Sequence, residues 1–597
     1  MKPARLGSFF LTLVLFLSRA PVCASATTDY TIILAHPAEH MIEVRLVLAA
    51  GAAMRELQLP VWNALYQIRD FSQYVNWIRA KDRAGRVLSI RELNKSLWEV
   101  ENTQDGAIVE YEIFADSPGP FGAQFNAHHA FLNLAEVLMY PVEARDQPMR
   151  LRFSTIPQGW QVATPLETAA SGDFTAANYD RLVDSPVEIG RFQESDFDQG
   201  GAHYRVIVDA EAGDYDIEKI VATLEKIVAA ATGWMEDRPF ENYMFFYHFP
   251  RGPAGGGMEH AFSTAIDINA DALNRSPQTL ASVTAHEFFH LWNVKRIRPQ
   301  GLDPIDYTKE NYTRALWFSE GCTSTAADFI ELRAGLMDER QFEMQLASGI
   351  SELERRPAHL TQSVEESSLD AWLEGDPYYR RPERSVSYYN KGELLGIILD
   401  LAVRDGSQGK ASLREVFRWM NENYGKKGVS FPEANGILVA SEAVSHSDLK
   451  LFFEKYVAGT EAIPWNDYFR TVGLTLVEAT NVLPDVGFTA SRNFDGPMIV
   501  EGIVSGSAAE RAGLHVGDII LQINGKSVGQ DSAESLVGAA VGDTLTVTAR
   551  APHGDERGMK WIIGSRDEVT YELKDVQNVS ALQHARRAAW LKGEAEN

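Results

Sequence analysis

Two histidines four residues apart with a glutamate beside the first, His286, Glu287 and His290 in the run HEFFH, constrain this chain more than any other feature. Four residues on a helix bring both imidazoles to one face, close enough to share one zinc ion. The carboxylate between them then stands beside the metal, where it takes a proton from the attacking water and returns it to a leaving amine. A pentapeptide is short enough to arise on an ordinary helix by chance, so the surrounding sequence has to decide. A hydrolytic zinc site needs a third protein ligand and an open fourth position. Glu320, in the run ALWFSEG that opens a second expected helix, offers that ligand. Asp328, two turns further on, is expected either to accept the other ring N–H of a ligand histidine or to be a solvated helix charge.

Two further runs fall where such a site needs them. Gly255 to His260, GGGMEH, follow an aromatic strand over 243–249 and bring an acidic residue, Glu259, to a strand edge along which a substrate can lie. Ser387 to Gly392, SYYNKG, open a long apolar helix, and a phenol placed there can stabilise the oxyanion of a tetrahedral intermediate.

Taken in order, GGMEH, HEFFHLWNVKRIRP, LWFSEG, SYYNKG and FFEKYVAGTEAIPW (452–465) resemble the M61 family, the glycyl aminopeptidase-like gluzincins, over most of the chain. The resemblance implies zinc ligands at His286, His290 and Glu320, a general base at Glu287, a transition-state tyrosine at Tyr389, and a holder of the substrate's free amino group at Glu259. It also implies one zinc ion per chain and release of small N-terminal residues such as Gly or Ala. Two stretches depart from the family pattern. Cys322, Thr325 and Ala326 replace bulkier residues after Glu320 and are expected to change the pocket wall. Asn63, Ala64 and Leu65 replace a Pro-Gly-Ser turn before Tyr66 and are expected to alter a contact from the N-terminal domain.

With 597 residues the chain is several domains long. Lys2 and Arg5, the apolar run 6–17 and the small residues Ala24, Ser25 and Ala26 read as a cleaved secretory signal over 1–26, so the protein is expected to be exported, periplasmic or extracellular. That apolar run is shorter than the ~20 residues of a membrane-spanning helix, and no other stretch approaches this length, so the mature chain is expected to be soluble. Cleavage removes Cys23 and leaves Cys322 as the remaining thiol, read as a small buried hydrophobe with no disulfide partner. Eighty-two acidic against 56 basic residues give a net charge of -26, which disfavours nucleic acid and anionic membranes as partners. The cluster Lys295, Arg296 and Arg298 is read as stabilising the carbonyl end of the HEFFH helix or as binding substrate.

The expected architecture is multidomain α+β. Alternating runs over 27–195 read as a β-sandwich-like domain, in which the adjacent His128 and His129 point to opposite faces and cannot share a metal with each other. A Gly- and Asp-rich stretch near 196–201 is taken as the boundary to a gluzincin-like catalytic domain over 196–473, mixed at first and helical afterwards, with the site in the cleft between its parts. From 474 to 578 the runs GIVSGSAAERAGL and GDIILQING resemble a PDZ domain, followed by a tail over 579–597. That resemblance implies a carboxylate-binding loop at Val486, Gly487 and Phe488, opposite a helix near Ser532 to Val541, and a peptide C-terminus as ligand. An acidic anchor for a free ammonium favours exopeptidase action. An endopeptidase with a structural Glu259, and a non-catalytic peptide binder acting through its PDZ domain, are the alternatives.

Overall fold

The computed structural model describes residues 27–63, 66–252, 254–373, 381–492, 497–528 and 539–596. The signal segment 1–26 and the expected PDZ helix near Ser532 lie outside the described residues.

The N-terminal domain is β-rich. Strands Thr28–His36 and Met41–Leu48 alternate buried and half-exposed residues along their length, the period-two pattern that puts Tyr30, Ile32, Ile42 and Val44 into one core. They belong to an eight-stranded sheet, and two four-stranded sheets complete the domain.

The stretch expected to be a boundary is instead the tip of a hairpin. Gln193–Gln199 and Ala202–Asp209 pair antiparallel, and Gly200 and Gly201, both at positive φ, make the two-residue turn between them. The catalytic sheet therefore begins at Gln193. It continues through Asn242–His248 and Ser263–Ile268, parallel to one another, and ends on Gly255–Glu259, which pairs antiparallel as the edge strand.

Asp216 caps the helix Ile217–Met235 by accepting from the Lys219 amide at 3.2 Å, and the apolar stripe Ile220, Leu224, Ile227 and Val228 is buried against the sheet. The helix Gln278–Phe289 carries HEFFH, Trp317–Gly321 and Cys322–Ala334 carry Glu320, and Tyr388–Gly406 carries Tyr389. No helix among the described residues is long and apolar enough to cross a membrane.

At the C-terminal end the chain departs from the expected tail. Leu474–Asp485 and Gly564–Asp575 form a twelve-residue antiparallel ribbon, and the PDZ sheet lies between its two strands in sequence. After the ribbon the chain returns to the catalytic domain as the helix Ala581–Trp590. Trp590 is fully buried in the catalytic core, edge-on to Phe342 at 5.3 Å. Trp234 Nε1 donates to the Gly593 carbonyl at 2.7 Å, and Arg587 pairs with Glu339 at 2.6 Å. The tryptophan is a lone aromatic in a basic, Ala-rich stretch, and such a stretch shows nothing of the pocket that receives it.

Candidate active site

HEFFH closes its helix: the helix ends at Phe289, and His290, still αR, is its C-cap. His286 Nε2 and His290 Nε2 lie 3.0 Å apart, and Glu320 Oε2 is 3.5 Å from the first and 3.3 Å from the second. Tetrahedral coordination with zinc bonds near 2.0–2.1 Å sets ligand atoms about 3.3 Å apart, so the three donors fit one zinc-sized cation. Each ring is fixed through its other nitrogen. His290 Nδ1 donates to the Asn293 carbonyl at 2.6 Å, and His286 Nδ1 lies 3.2 Å from Ser324 Oγ.

Asn293 and Ser324 take the place expected for Asp328. Eight residues beyond Glu320 are about 12 Å along a helix axis, out of reach of either ring, whereas Ser324 is one turn on. Asp328 is buried and accepts from Gln345 Nε2 at 2.8 Å, so it is neither a partner of the ligand histidines nor a solvated charge.

Asn293 also explains how Glu320 is aimed. The turn Trp317–Gly321 is π-helical, which leaves carbonyls off the usual ladder. Asn293 Nδ2 donates to the Phe318 carbonyl at 2.8 Å and lies 3.0 Å from Thr323 Oγ1. One side chain thus ties the end of the HEFFH helix to the turn that presents Glu320. Asn293→Ala is expected to weaken metal affinity about 10–100-fold, the usual cost of losing a group that orients a ligand, with the fold retained. Competition with a chelating dye measures this, and unchanged affinity would sink the role.

Glycines in the motifs serve close approach. A Cβ on Gly321 would overlap the backbone of Gly392, so the glutamate and tyrosine helices touch main chain to main chain. A Cβ on Gly257 would overlap the Glu287 carboxyl group, so only glycine lets the edge strand lie against it. Cys322 is buried against Gly392 and Gly396 of the tyrosine helix, and Thr325 donates to the Glu393 carbonyl at 2.8 Å. These departures from the family pattern therefore face helix packing, and they do not form the pocket wall.

The cleft over the three donors has a volume of about 500 Å³ and is lined by Glu259, Glu287 and Tyr389 among others. Tyr389 fronts it, its ring 6.2 Å from that of His286, while Tyr388 is fully buried. Candidate ligand oxygens of Glu259 and Glu287 and a nitrogen of His290 lie within 4.8 Å of one another. Burial first, then the nearby Glu259 and Glu320 charges, push the Glu287 carboxyl up, against the pull of His290. Burial lowers His286; at His290 burial also pulls down, but Glu320 together with Glu259 and Glu287 outweighs it and raises the ring to about 10.

The N-terminal domain closes one wall through Trp62, Tyr66 and Phe121. Tyr66 donates to Glu320 Oε1 at 3.4 Å, and Asn63 Nδ2 donates to the Phe121 carbonyl at 2.8 Å. Ala64 and Leu65 lie outside the described residues. The segment at Tyr66 is the one expected to supply a contact from the N-terminal domain, and the structure makes that contact with Glu320, a partner 254 residues away that the local sequence does not show. The basic cluster is engaged in structure: Lys295 pairs with Asp184 at 3.0 Å, Arg296 donates to the Pro239 carbonyl and Arg298 to that of Val294. Burial works against the Asp184 carboxylate, but Lys295 and His260 outweigh it and hold its pKa well below the usual range.

In the PDZ region, Phe488–Arg492 is an edge strand of the six-stranded sheet, with Phe488 in its core. Gly487, at positive φ, donates its amide to Asp485 Oδ1 at 2.8 Å, and the Val486 carbonyl accepts from Trp561 Nε1 at 3.0 Å. One of the three expected loop amides is therefore already committed.

Family models match in the same order along the chain: the peptidase M61 N-terminal domain over 29–191, the M61 glycyl aminopeptidase over 279–395 and the PDZ domain over 472–549. No curated protein sequence matches. Among solved structures, an aminopeptidase N family protein from Idiomarina loihiensis is 26% identical with a TM-score of 0.82, and the match covers 95% of this chain and 100% of that one. An M1 zinc metallopeptidase from Deinococcus radiodurans is 16% identical, TM-score 0.45, over 74% of this chain and 95% of that one. Aminopeptidase A from Legionella pneumophila, in complex with aspartic acid, is 12% identical, TM-score 0.44, over 91% of this chain and 56% of that one. The chain thus carries, in order, the N-terminal domain and the peptidase domain of an M61-type metallopeptidase, with a PDZ domain behind them.

Proposed function

We propose that the protein is an exported zinc aminopeptidase that releases small residues, glycine or alanine, from the free amino terminus of peptides. The observation that carries this reading is the pair of carboxylates, Glu259 and Glu287, set beside three convergent donor atoms in one cleft. Zinc held by His286, His290 and Glu320 polarises the scissile carbonyl and acidifies water when bound. Glu287 takes the proton of the attacking water and passes it to the leaving amine. Tyr389 donates to the oxyanion that forms on the carbonyl. Glu259, on the edge strand, pairs with the substrate ammonium, and the aromatic wall of Trp62, Tyr66 and Phe121 limits the room for a large first side chain.

Glycyl and alanyl reporters should be cleaved in a chelator-sensitive manner. Comparable kcat/KM on an N-blocked, internally quenched peptide would overturn the aminopeptidase reading. Glu259→Gln is expected to raise KM for free-amino substrates about 10–100-fold, since a hydrogen bond to a charged group contributes ~1.5–3 kcal/mol. Equal losses on N-blocked peptides would instead mark Glu259 as structural. Tyr389→Phe should lower kcat about 10²-fold with KM little changed, as for loss of one oxyanion donor. The reverse ranking, with Tyr388→Phe the damaging change, would shift the role to its neighbour.

Export rests on the character of residues 1–26. Natively produced protein should begin near residue 27, and a retained Met1 would contradict this. The PDZ domain is read as a reader of peptide C-termini along its edge strand, with the Val486 and Phe488 amides as donors. Amidated peptides should bind more weakly than free ones, and equal binding would remove the carboxylate from the account.

A further inference from the structure

A second set of metal-ligating side chains lies where the N-terminal domain meets the outer face of the catalytic sheet. It joins His129, from strand His129–Leu132, and Glu188, from Val187–Gly190, to Asp209, His248 and Asp267 at the ends of three catalytic strands. Glu188 is fully buried, and it gives one oxygen to each ring: Oε1 lies 3.1 Å from His129 Nδ1 and Oε2 lies 3.1 Å from His248 Nε2. Asp209 Oδ2 is also 3.1 Å from His129 Nδ1.

Both rings turn their other nitrogen to an oxygen acceptor. His248 Nδ1 lies 2.8 Å from Asp267 Oδ1, and His129 Nε2 lies 3.2 Å from Gln124 Oε1. With these outer N–H groups donated, the inner nitrogens carry lone pairs, and those lone pairs face carboxylate oxygens. A positive charge has to lie between them. Two ring protons would supply it, but the single N–H on His129 would then have to be split between Glu188 and Asp209, both at 3.1 Å. A cation on that lone pair accounts for both distances. The arrangement repeats the catalytic centre, where inner nitrogens converge on a carboxylate at 3.3–3.5 Å and outer nitrogens are held by oxygens.

From this geometry we propose that His129, His248 and Glu188, with Asp209 as a fourth donor, bind a second divalent transition metal ion, zinc or one of similar preference, which clamps the N-terminal domain to the catalytic sheet. The candidate atoms of His129, Glu188 and His248 lie within 4.8 Å of one another, and Glu188 brings an oxygen to 3.1 Å of each ring, a grouping that could hold one metal ion. Two imidazoles with carboxylates are a donor set suited to zinc and poorly suited to calcium or magnesium. A cleft of about 530 Å³, which includes Trp160 and Arg191 in its walls, opens onto the cluster and gives an ion its way in. A site with every strong donor supplied by protein, remote from Glu287 and Tyr389, is a structural clamp.

Tag-free full-length protein, stripped with chelator, reloaded with zinc and freed of excess, is expected to hold two zinc ions per chain. The Glu188→Gln/His248→Gln double variant should hold one, with hydrolysis of a small aminoacyl reporter within about two-fold of wild type. One zinc in the wild-type protein overturns the site, as do two in the double variant. Should the variant not fold, cobalt(II) titration of the wild-type protein decides the matter. Two saturable absorption phases support the second site, and a single phase overturns it.

Discussion

Glu287→Gln is expected to lower kcat about 10²–10⁴-fold, the range of general acid–base catalysis, while KM, metal content and thermal stability stay close to wild type. The substitution is nearly isosteric, so the tight fit against Gly257 is kept. Glu287 Oε2 is buried and has no hydrogen-bond partner among the described residues, so the amide breaks no contact in the resting protein. What disappears is the ability to accept a proton. Burial and the neighbouring Glu259 and Glu320 charges make this carboxylate a stronger base than an exposed one. None of the three convergent donors is touched, so metal analysis separates loss of chemistry from loss of the site. A variant that retains activity within a few-fold of wild type would remove Glu287 from the reaction.

What the sequence made legible follows from the range of the interactions involved. HEFFH could be read because helix geometry alone places His286 and His290, and Asp216 could be read as a cap because its partner is three residues away. Glu320 and Tyr389 needed the order of several motifs, since the contact that joins them is a backbone-to-backbone approach at Gly321 and Gly392 that periodicity does not encode. Asp328 misled because sharing a helix face with Glu320 does not bring it within reach of the rings, about 12 Å further along the axis, while Ser324 and Asn293, ordinary polar residues, do the holding. Gly200 and Gly201 resembled a linker because a tight hairpin and a loose connection use the same residues. Trp590 and the His129–Glu188–His248 cluster depend on partners far away in sequence, and nothing local marks them; the segment at Tyr66 was marked, but its partner Glu320 was not.

Removal of everything from residue 474 onward is expected to destroy the enzyme, whereas excision of 486–563 should leave small-substrate hydrolysis nearly intact. Two segments decide the difference. The ribbon packs on the helix Glu339–Glu354, where the Tyr571 amide donates to Ser351 Oγ at 3.0 Å and Arg355 pairs with Glu568 at 2.8 Å. The helix Ala581–Trp590 then fills the catalytic core with a fully buried tryptophan, and the Glu594 carbonyl accepts from the buried Arg404. Loss of a buried tryptophan costs about 3–5 kcal/mol, a large part of the ~5–15 kcal/mol that holds a typical domain folded. Truncation also leaves the buried Trp234 Nε1 without its acceptor and takes from the buried Arg404 its Glu594 partner, leaving it Asp400 alone. Excision behaves differently because Asp485 and Gly564 face each other as the last pair of the ribbon, so a two-residue turn can close it into a hairpin. Reporter kcat/KM within about three-fold of wild type for the excised chain, beside insoluble or inactive truncated protein, is the expected result. If the chain ending at residue 473 folds and hydrolyses the reporter at the wild-type rate, the C-terminal helix is dispensable and the account of its buried contacts is wrong.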